Sequence, residues 1–162
     1  GGSLTDALVP DAQAMAEGAL ALSTSVRSGA NFILHSCGMM GTYIGTCLEK
    51  WLIDEEVCRT LRRVLTSMQI TVESIDIETI NSVGIDGSYL RHPTTFKHCR
   101  ELYQPVIFTR RDYPGWRKKG AFRAEEQAAR ALADRLSQYT RPPIDEGLSE
   151  ALADFVRRRK RG

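Results

Sequence analysis

Gly29-Ala30-Asn31-Phe32-Ile33-Leu34-His35-Ser36-Cys37-Gly38-Met39-Met40 is the stretch that decides the fold. Phe32, Ile33 and Leu34 form an apolar run too short for a helix and too continuous for a half-solvated strand. Such a run fits a parallel strand covered on both faces, and it predicts one over residues 31–37. His35, Ser36 and Cys37 close that strand, and α/β sheets and barrels bind ligands beyond the carboxyl ends of their strands. A histidine there is either a ligand-facing group or a core histidine bonded to backbone. A buried cysteine commonly packs as a small apolar residue. The residues themselves leave both readings open.

Helical patterns surround this strand. Pro10 suits a first turn, and Met15, Ala19, Leu22 and Val26 line one face of a helix over 10–28 that Gly29 stops. Asp54 reads as the N-cap of a helix over 54–69, with Glu55 and Glu56 in its first turn. Val57, Leu61, Val64 or Leu65, and Met68 form its buried stripe. A short helix over 75–83 ends at Gly84, and Pro93 starts another that runs to Arg100. Residues 105–109 are a strand or an extended packing segment. A long helix spans 121–140, with Phe122, Ala129, Leu132, Leu136 and Tyr139 on one side. After Pro142-Pro143 a last helix covers 145–160, with Leu148, Leu152 and Phe155 inward.

Apolar residues make up 42% of the 162 and charged residues 26%, ordinary globular usage that argues against disorder. No apolar run approaches the roughly 20 residues that span a bilayer. Cys37, Cys47, Cys58 and Cys99 show no CxxC pairing, so reduced thiols in a cytoplasmic protein are the simplest account. His35, Cys37, His92, His98 and Cys99 match no zinc spacing, and no bound metal is expected. Residues 1–56 carry two basic and seven acidic side chains, and residues 57–162 carry twenty basic and thirteen acidic. The basic run Arg157–Arg161 ends a predicted helix, where cations complement the dipole. With no nucleic-acid motif elsewhere, that run is read as solvated.

A buried parallel strand needs neighbours on both edges, and the chain offers one good strand and one doubtful one. Either the fold is mostly helical or the chain is part of something larger.

A succession of short motifs resembles the C-terminal portion of the trimethylamine methyltransferase family, the corrinoid-dependent methyltransferases for trimethylamine, glycine betaine and similar amines. They are Gly1-Gly2-Ser3 with Thr5-Asp6-Ala7, Val9 to Gln13, Asn31 to Met39, and Glu49-Lys50 before Ile53 to Glu56. Then come Val83-Gly84, Gly87 to Leu90, His92 to Thr95 with His98, and Arg100-Glu101. Pro105, Arg111, Tyr113, Trp116 and Gly120 complete the series. Their order and spacing, more than any one piece, carry the resemblance.

The resemblance implies the C-terminal part of a TIM (β/α)8 barrel. Residues 1–70 would form terminal β/α units of an incomplete barrel, and residues 71–162 a helical C-terminal extension. A whole barrel needs about 250 residues, so the missing strand neighbours would lie upstream. The implied chemistry is methyl transfer from a methylated amine to the cob(I)alamin of a separate corrinoid protein. The implied partners are that corrinoid protein, the upstream half of the barrel and a second copy of the chain in a homo-oligomer. His35 is the expected substrate-pocket group. Ser36 and Cys37 are weaker candidates, since alternation turns Ser36 away from His35. Tyr89 and His92 lie in a turn-rich loop and would close over the site. The catalytic group stays unassigned.

Trimethylamine enzymes of the family carry pyrrolysine near the counterpart of Gly1 to Ser3. Ordinary residues there favour a quaternary amine such as a betaine, provided that Gly1 and Gly2 belong to the fold and not to a linker. The competing readings are a non-catalytic binding or assembly module derived from the family, and a stand-alone helical domain whose basic C-terminal half binds anions or nucleic acid.

Overall fold

Asp11 accepts the amides of Gln13 and Ala14 at 3.0 and 3.1 Å and so caps α1, Ala12–Arg27. The computed structural model describes residues 1–160. The buried face of α1 is Ala14, Gly18 and Leu22, with Met15, Ala19 and Val26 half-buried. Gly29 ends the helix in the left-handed region, φ +78°. The small residues on that face let the N-terminal segment press against it, and a Cβ on Gly18 would lie 2.3 Å from the Ser3 hydroxyl.

The strand expected over 31–37 does not form. These residues run as an irregular loop, and Phe32 is 81% exposed. Among the described residues no neighbouring strand offers amides and carbonyls to pair with it. The loop takes its backbone partner from the N-terminal segment, where the Ser3 amide donates to the His35 carbonyl at 3.0 Å. Gly41 and Thr42 then donate to the carbonyls of Ala7 and Thr5. The only strands among the described residues are β1 (Met39–Met40) and β2 (Gly45–Thr46), an antiparallel pair with Met39 opposite Thr46. A closed turn joins them, with Gly41, Thr42 and Tyr43 all at positive φ.

Helix α2, Leu48–Leu65, begins six residues before its predicted start, capped by Cys47. Asp54 is therefore no cap. It sits buried one turn after Lys50, on a face that also buries Leu52, Ile53 and Glu56. The expected stripe fails with it: Val64 and Met68 are exposed, and only Val57 and Leu61 are half-buried. Three acidic residues in a row imitate a helix start, but two of them answer buried donors.

Short helices follow: α3 (Val72–Ile75), α4 (Ile77–Val83), a 3-10 turn over Tyr89–Arg91, α5 (Pro93–His98) and α6 (Tyr113–Lys118). The segment over 103–108 forms no strand and bends over residues 106–108. Glu56 holds it to α2, accepting the amides of Val106 and Ile107 at 2.6 and 2.7 Å and the Tyr103 hydroxyl. Helix α7, Ala124–Ser137, packs on α2. Leu52, Ile53, Ile107 and Ala128 form the core there, with Phe108, Ala131 and Leu132 against it. Each Leu or Ile so buried contributes about 1.5–3 kcal/mol. Arg135 of α7 and Arg59 of α2 bracket Glu55 at 2.9 and 2.6 Å. Helix α8, Glu146–Lys160, buries nothing; Leu148, Leu152 and Phe155, expected inward, face solvent. Arg161, the end of the basic run, lies outside the described residues.

The chain is thus mostly helical, with two small cores and much exposed apolar surface that includes Phe32, Leu34, Ile44, Met68, Ile70 and Val72. Apolar surface on that scale marks interaction sites. No helix of the described residues is long and apolar enough to cross a membrane.

Candidate functional site

His35 stands at the surface with φ +56°, a left-handed backbone that non-glycine residues rarely adopt. Its ring meets the Tyr43 ring edge-on, centroids 4.9 Å apart. The β1–β2 turn delivers Tyr43, and Tyr43 also lines a cleft of about 380 Å³ with Leu4, Thr5, Asp6, Glu17 and Thr42. Glu17 accepts the Thr5 hydroxyl at 2.6 Å, the Asp6 amide at 2.9 Å and the Gln13 amide nitrogen at 2.8 Å. The Thr5 hydroxyl first, then those two donors, hold its carboxyl below the usual range, so it is ionised at neutral pH. Asp6 accepts the Thr42 hydroxyl at 2.5 Å. The cleft therefore combines two carboxylates with one aromatic wall, a lining that attracts cations.

Beneath His35 lies a buried network. Lys50 Nζ donates to Asp54 Oδ2 at 2.5 Å, to the Ser3 hydroxyl at 3.0 Å and to the Ser3 carbonyl at 3.1 Å. The Ser3 hydroxyl donates to Asp54 Oδ1 at 2.7 Å, and the Gly38 amide to Asp54 Oδ2 at 2.8 Å. Lys50 and Ser3 have no exposed surface, and every donor of the ammonium group is used. A buried charge is tolerable only when paired and hydrogen-bonded in this way. Gly2 and Ser3 are core residues.

The other expected residues take separate places. The Ser36 hydroxyl donates to the Ile33 carbonyl at 2.9 Å. Ser36 also lines a cleft of about 410 Å³ with Leu22, Val26, Ile33, Cys58 and Leu61. Cys37 is half-buried, and the neighbouring Cys58 pushes its thiol up while the Cys58 thiol comes down to about 7. Tyr89 sits in the 3-10 turn, where its carbonyl accepts the Thr95 hydroxyl at 2.6 Å. His92 caps α5, its Nδ1 accepting the Thr94 amide at 3.3 Å. No hydrogen bond or aromatic contact joins Tyr89 or His92 to His35 among the described residues. No group of three or more His, Cys, Asp or Glu side chains is arranged to hold a metal there either.

Sequence reasoning missed Tyr43, Asp6 and Glu17, because nothing local signals that a turn at 43 will meet residues 6 and 17. The Lys50–Asp54 pair did carry a signal. Its i,i+4 spacing encloses the run Trp51-Leu52-Ile53, which places two charges on a helix that must bury a face.

A helical, α2-centred piece with its candidate site at the N-terminal end is the class that fold and site define. The trimethylamine methyltransferase family (MTTB) matches residues 1–162, and the chain belongs to that family. A glycine betaine methyltransferase from Desulfitobacterium hafniense is 28% identical over 160 residues, 98% of this chain and 33% of that protein. A trimethylamine methyltransferase MttB from the same species is 28% identical over 155 residues, 96% of this chain and 31% of that protein. A proline betaine:corrinoid methyltransferase from Eubacterium limosum is 28% identical over 157 residues, 94% and 32%. The chain spans about a third of the length of these curated relatives.

Proposed function

We infer that this chain is the C-terminal part of a cytoplasmic methyltransferase that moves a methyl group from a quaternary amine, such as a betaine, to the cob(I)alamin of a corrinoid protein. The single observation that carries this reading is the family match along all 162 residues, with betaine methyltransferases among the relatives. Ordinary residues at Gly1 to Ser3 fit the members of the family without pyrrolysine, and so a quaternary amine.

Cob(I)alamin, carried by the partner, supplies the nucleophile. The residues of this chain then bind and orient the amine and keep water from it. A quaternary ammonium loses its methyl as a cation equivalent and departs as a neutral amine, so no proton has to be delivered. It needs aromatic faces and negative charge, not hydrogen-bond acceptors at short range. Tyr43 with the Asp6 and Glu17 carboxylates of the cleft supports that reading, and His35 stands beside Tyr43.

In this reading residues 1–70 belong to a TIM barrel whose other strands come from the upstream part of the protein, and residues 71–162 form a helical extension. The exposed apolar surface is covered by that upstream part and by a second copy. Ser36 and Cys37 line the edge of the substrate pocket, and Tyr89 and His92 approach it when the barrel is whole.

The test mixes the intact protein with cob(I)alamin and glycine betaine, proline betaine or trimethylamine, and follows methylcobalamin by its absorbance. Formation with a betaine, reduced by His35→Ala, supports the reading. No methyl transfer from any of the three overturns it in favour of an assembly module.

A further inference from the structure

His35, like Thr42 and Tyr43 of the cleft wall, is a non-glycine residue in left-handed backbone, and the chain that follows it is tied at two points to one carboxylate. A non-glycine residue stays in the left-handed region only where its surroundings over-determine it. Here the Ser3 amide fixes the His35 carbonyl at 3.0 Å, and the Ser3 hydroxyl is fixed in turn to Asp54 Oδ1 at 2.7 Å. Three residues after His35, the Gly38 amide is fixed to Asp54 Oδ2 at 2.8 Å. Lys50 completes the frame by donating to Asp54 and twice to Ser3. Gly2 packs so closely beneath that a Cβ there would lie 2.5 Å from the Ser36 Cα. The exposed imidazole is therefore set on a buried, fully hydrogen-bonded base, and its ring is left against Tyr43.

We propose that Ser3, Lys50 and Asp54 are positioning residues for His35: the buried network fixes the backbone at 35–38 and so aims the imidazole at the Tyr43 edge of the cleft. The proposal rests on the reading of His35 as a substrate-pocket group for its catalytic consequence, but not for the geometry. Removing the frame leaves His35 in place chemically and lets its backbone relax. The loss then falls on orientation, the quantity for which a displacement of an ångström costs about a hundredfold in rate.

The test uses the intact protein with Ser3→Ala and with the double replacement Lys50→Met/Asp54→Leu, which leaves no unpaired buried charge. Each is made with and without His35→Ala. Methyl transfer to cob(I)alamin is measured beside the rate of imidazole C2–H exchange at each histidine, read by mass spectrometry. Both frame variants are expected to lower kcat by about tenfold to a hundredfold, with no further loss when His35→Ala is already present. Exchange is expected to change at His35 and not at His92 or His98. Frame variants that keep kcat and the His35 exchange rate overturn the proposal. So does an equal loss of kcat with and without His35. If His35→Ala alone is fully active, the functional reading of His35 fails instead. The exchange rate then decides the positioning by itself: a change at His35 supports it, and none overturns it.

Discussion

The carboxylate of Glu56 accepts the backbone amide of Ile107 at 2.7 Å, joining positions 51 apart in the sequence. The same oxygen takes the Val106 amide, and the other takes the Tyr103 hydroxyl. One side chain thus satisfies three donors of a segment that has no strand partner, next to the Ile107 core. Glu56→Ala leaves the buried Ile107 amide and two part-buried donors without their acceptor and is expected to cost about 2 kcal/mol. Glu56→Gln keeps one acceptor and costs less. Urea unfolding of the intact protein checks the order, and equal midpoints for Glu56→Ala and the unmodified chain would exclude this role.

The same carboxylate predicts an acid limit. Burial raises its proton affinity, but the Tyr103 hydroxyl and the two amides outweigh burial and hold it below its ordinary value of 4.5. A depressed folded value means that the unfolded chain binds the proton first. The stability from Glu56 is then complete above about pH 4.5 and is lost as pH falls through the lower folded value. Thermal unfolding from pH 6 to 3 should therefore fall more steeply in the unmodified protein than in Glu56→Gln.

Gly18 makes an opposite prediction to helix propensity. In a free helix Gly→Ala gains about 1 kcal/mol. At position 18 the added Cβ would meet the Ser3 hydroxyl at 2.3 Å and Lys50 Nζ at 3.3 Å. Gly18→Ala should thus destabilise by about 1–3 kcal/mol. Gly2→Ala should be worse, because the obstacle at 2.5 Å is the Ser36 backbone and cannot rotate away. A raised melting temperature in either variant would show that the N-terminal segment does not pack against α1 as described.

What was legible in the sequence follows the range of the interactions. Helix α1 and its stop at Gly29 depend on a local cap and a local period, and both were readable. The strand at 31–37 was not, because apolarity predicts burial and burial depends on partners that residues 1–160 do not supply. Phe32 and Leu34 are apolar and exposed for that reason. Asp54 was misread as a cap because a capping carboxylate and a carboxylate answering Lys50, Ser3 and Gly38 look alike until positions 3 and 38 are brought together. His35 was picked out from its place in the chain, but its partner Tyr43 depends on three successive positive φ values that no local rule anticipates. The family resemblance was legible because it rests on the order of short motifs and needs no contact.

Lys50 and Asp54 allow the buried pair to be weighed directly. Lys50→Met leaves Asp54 charged, buried and short of its cation, and should cost about 3–5 kcal/mol. Lys50→Met/Asp54→Leu removes both charges and should recover more than half of that loss, since apolar replacements of a buried pair are close to neutral. The recovery is seen as a urea midpoint between those of Lys50→Met and the unmodified chain. A double variant less stable than Lys50→Met would mean that Asp54 acts mainly through Ser3 and Gly38.

Cys58 and Cys37 should differ sharply in reactivity. The neighbouring Cys37 thiol favours a thiolate on Cys58 and brings that thiol down to about 7, while the same neighbour and burial push Cys37 up. Cys58 also lines the 410 Å³ cleft, so a small reagent can reach it. Iodoacetamide is therefore expected to label Cys58 with a half-point near pH 7 and to leave Cys37 unlabelled there, as read by peptide mass spectrometry. Cys37→Ala removes that neighbour and should move the Cys58 half-point upward, toward the ordinary thiol range. An unchanged half-point in Cys37→Ala would show that Arg62, the other group lowering the Cys58 thiol, is the main cause.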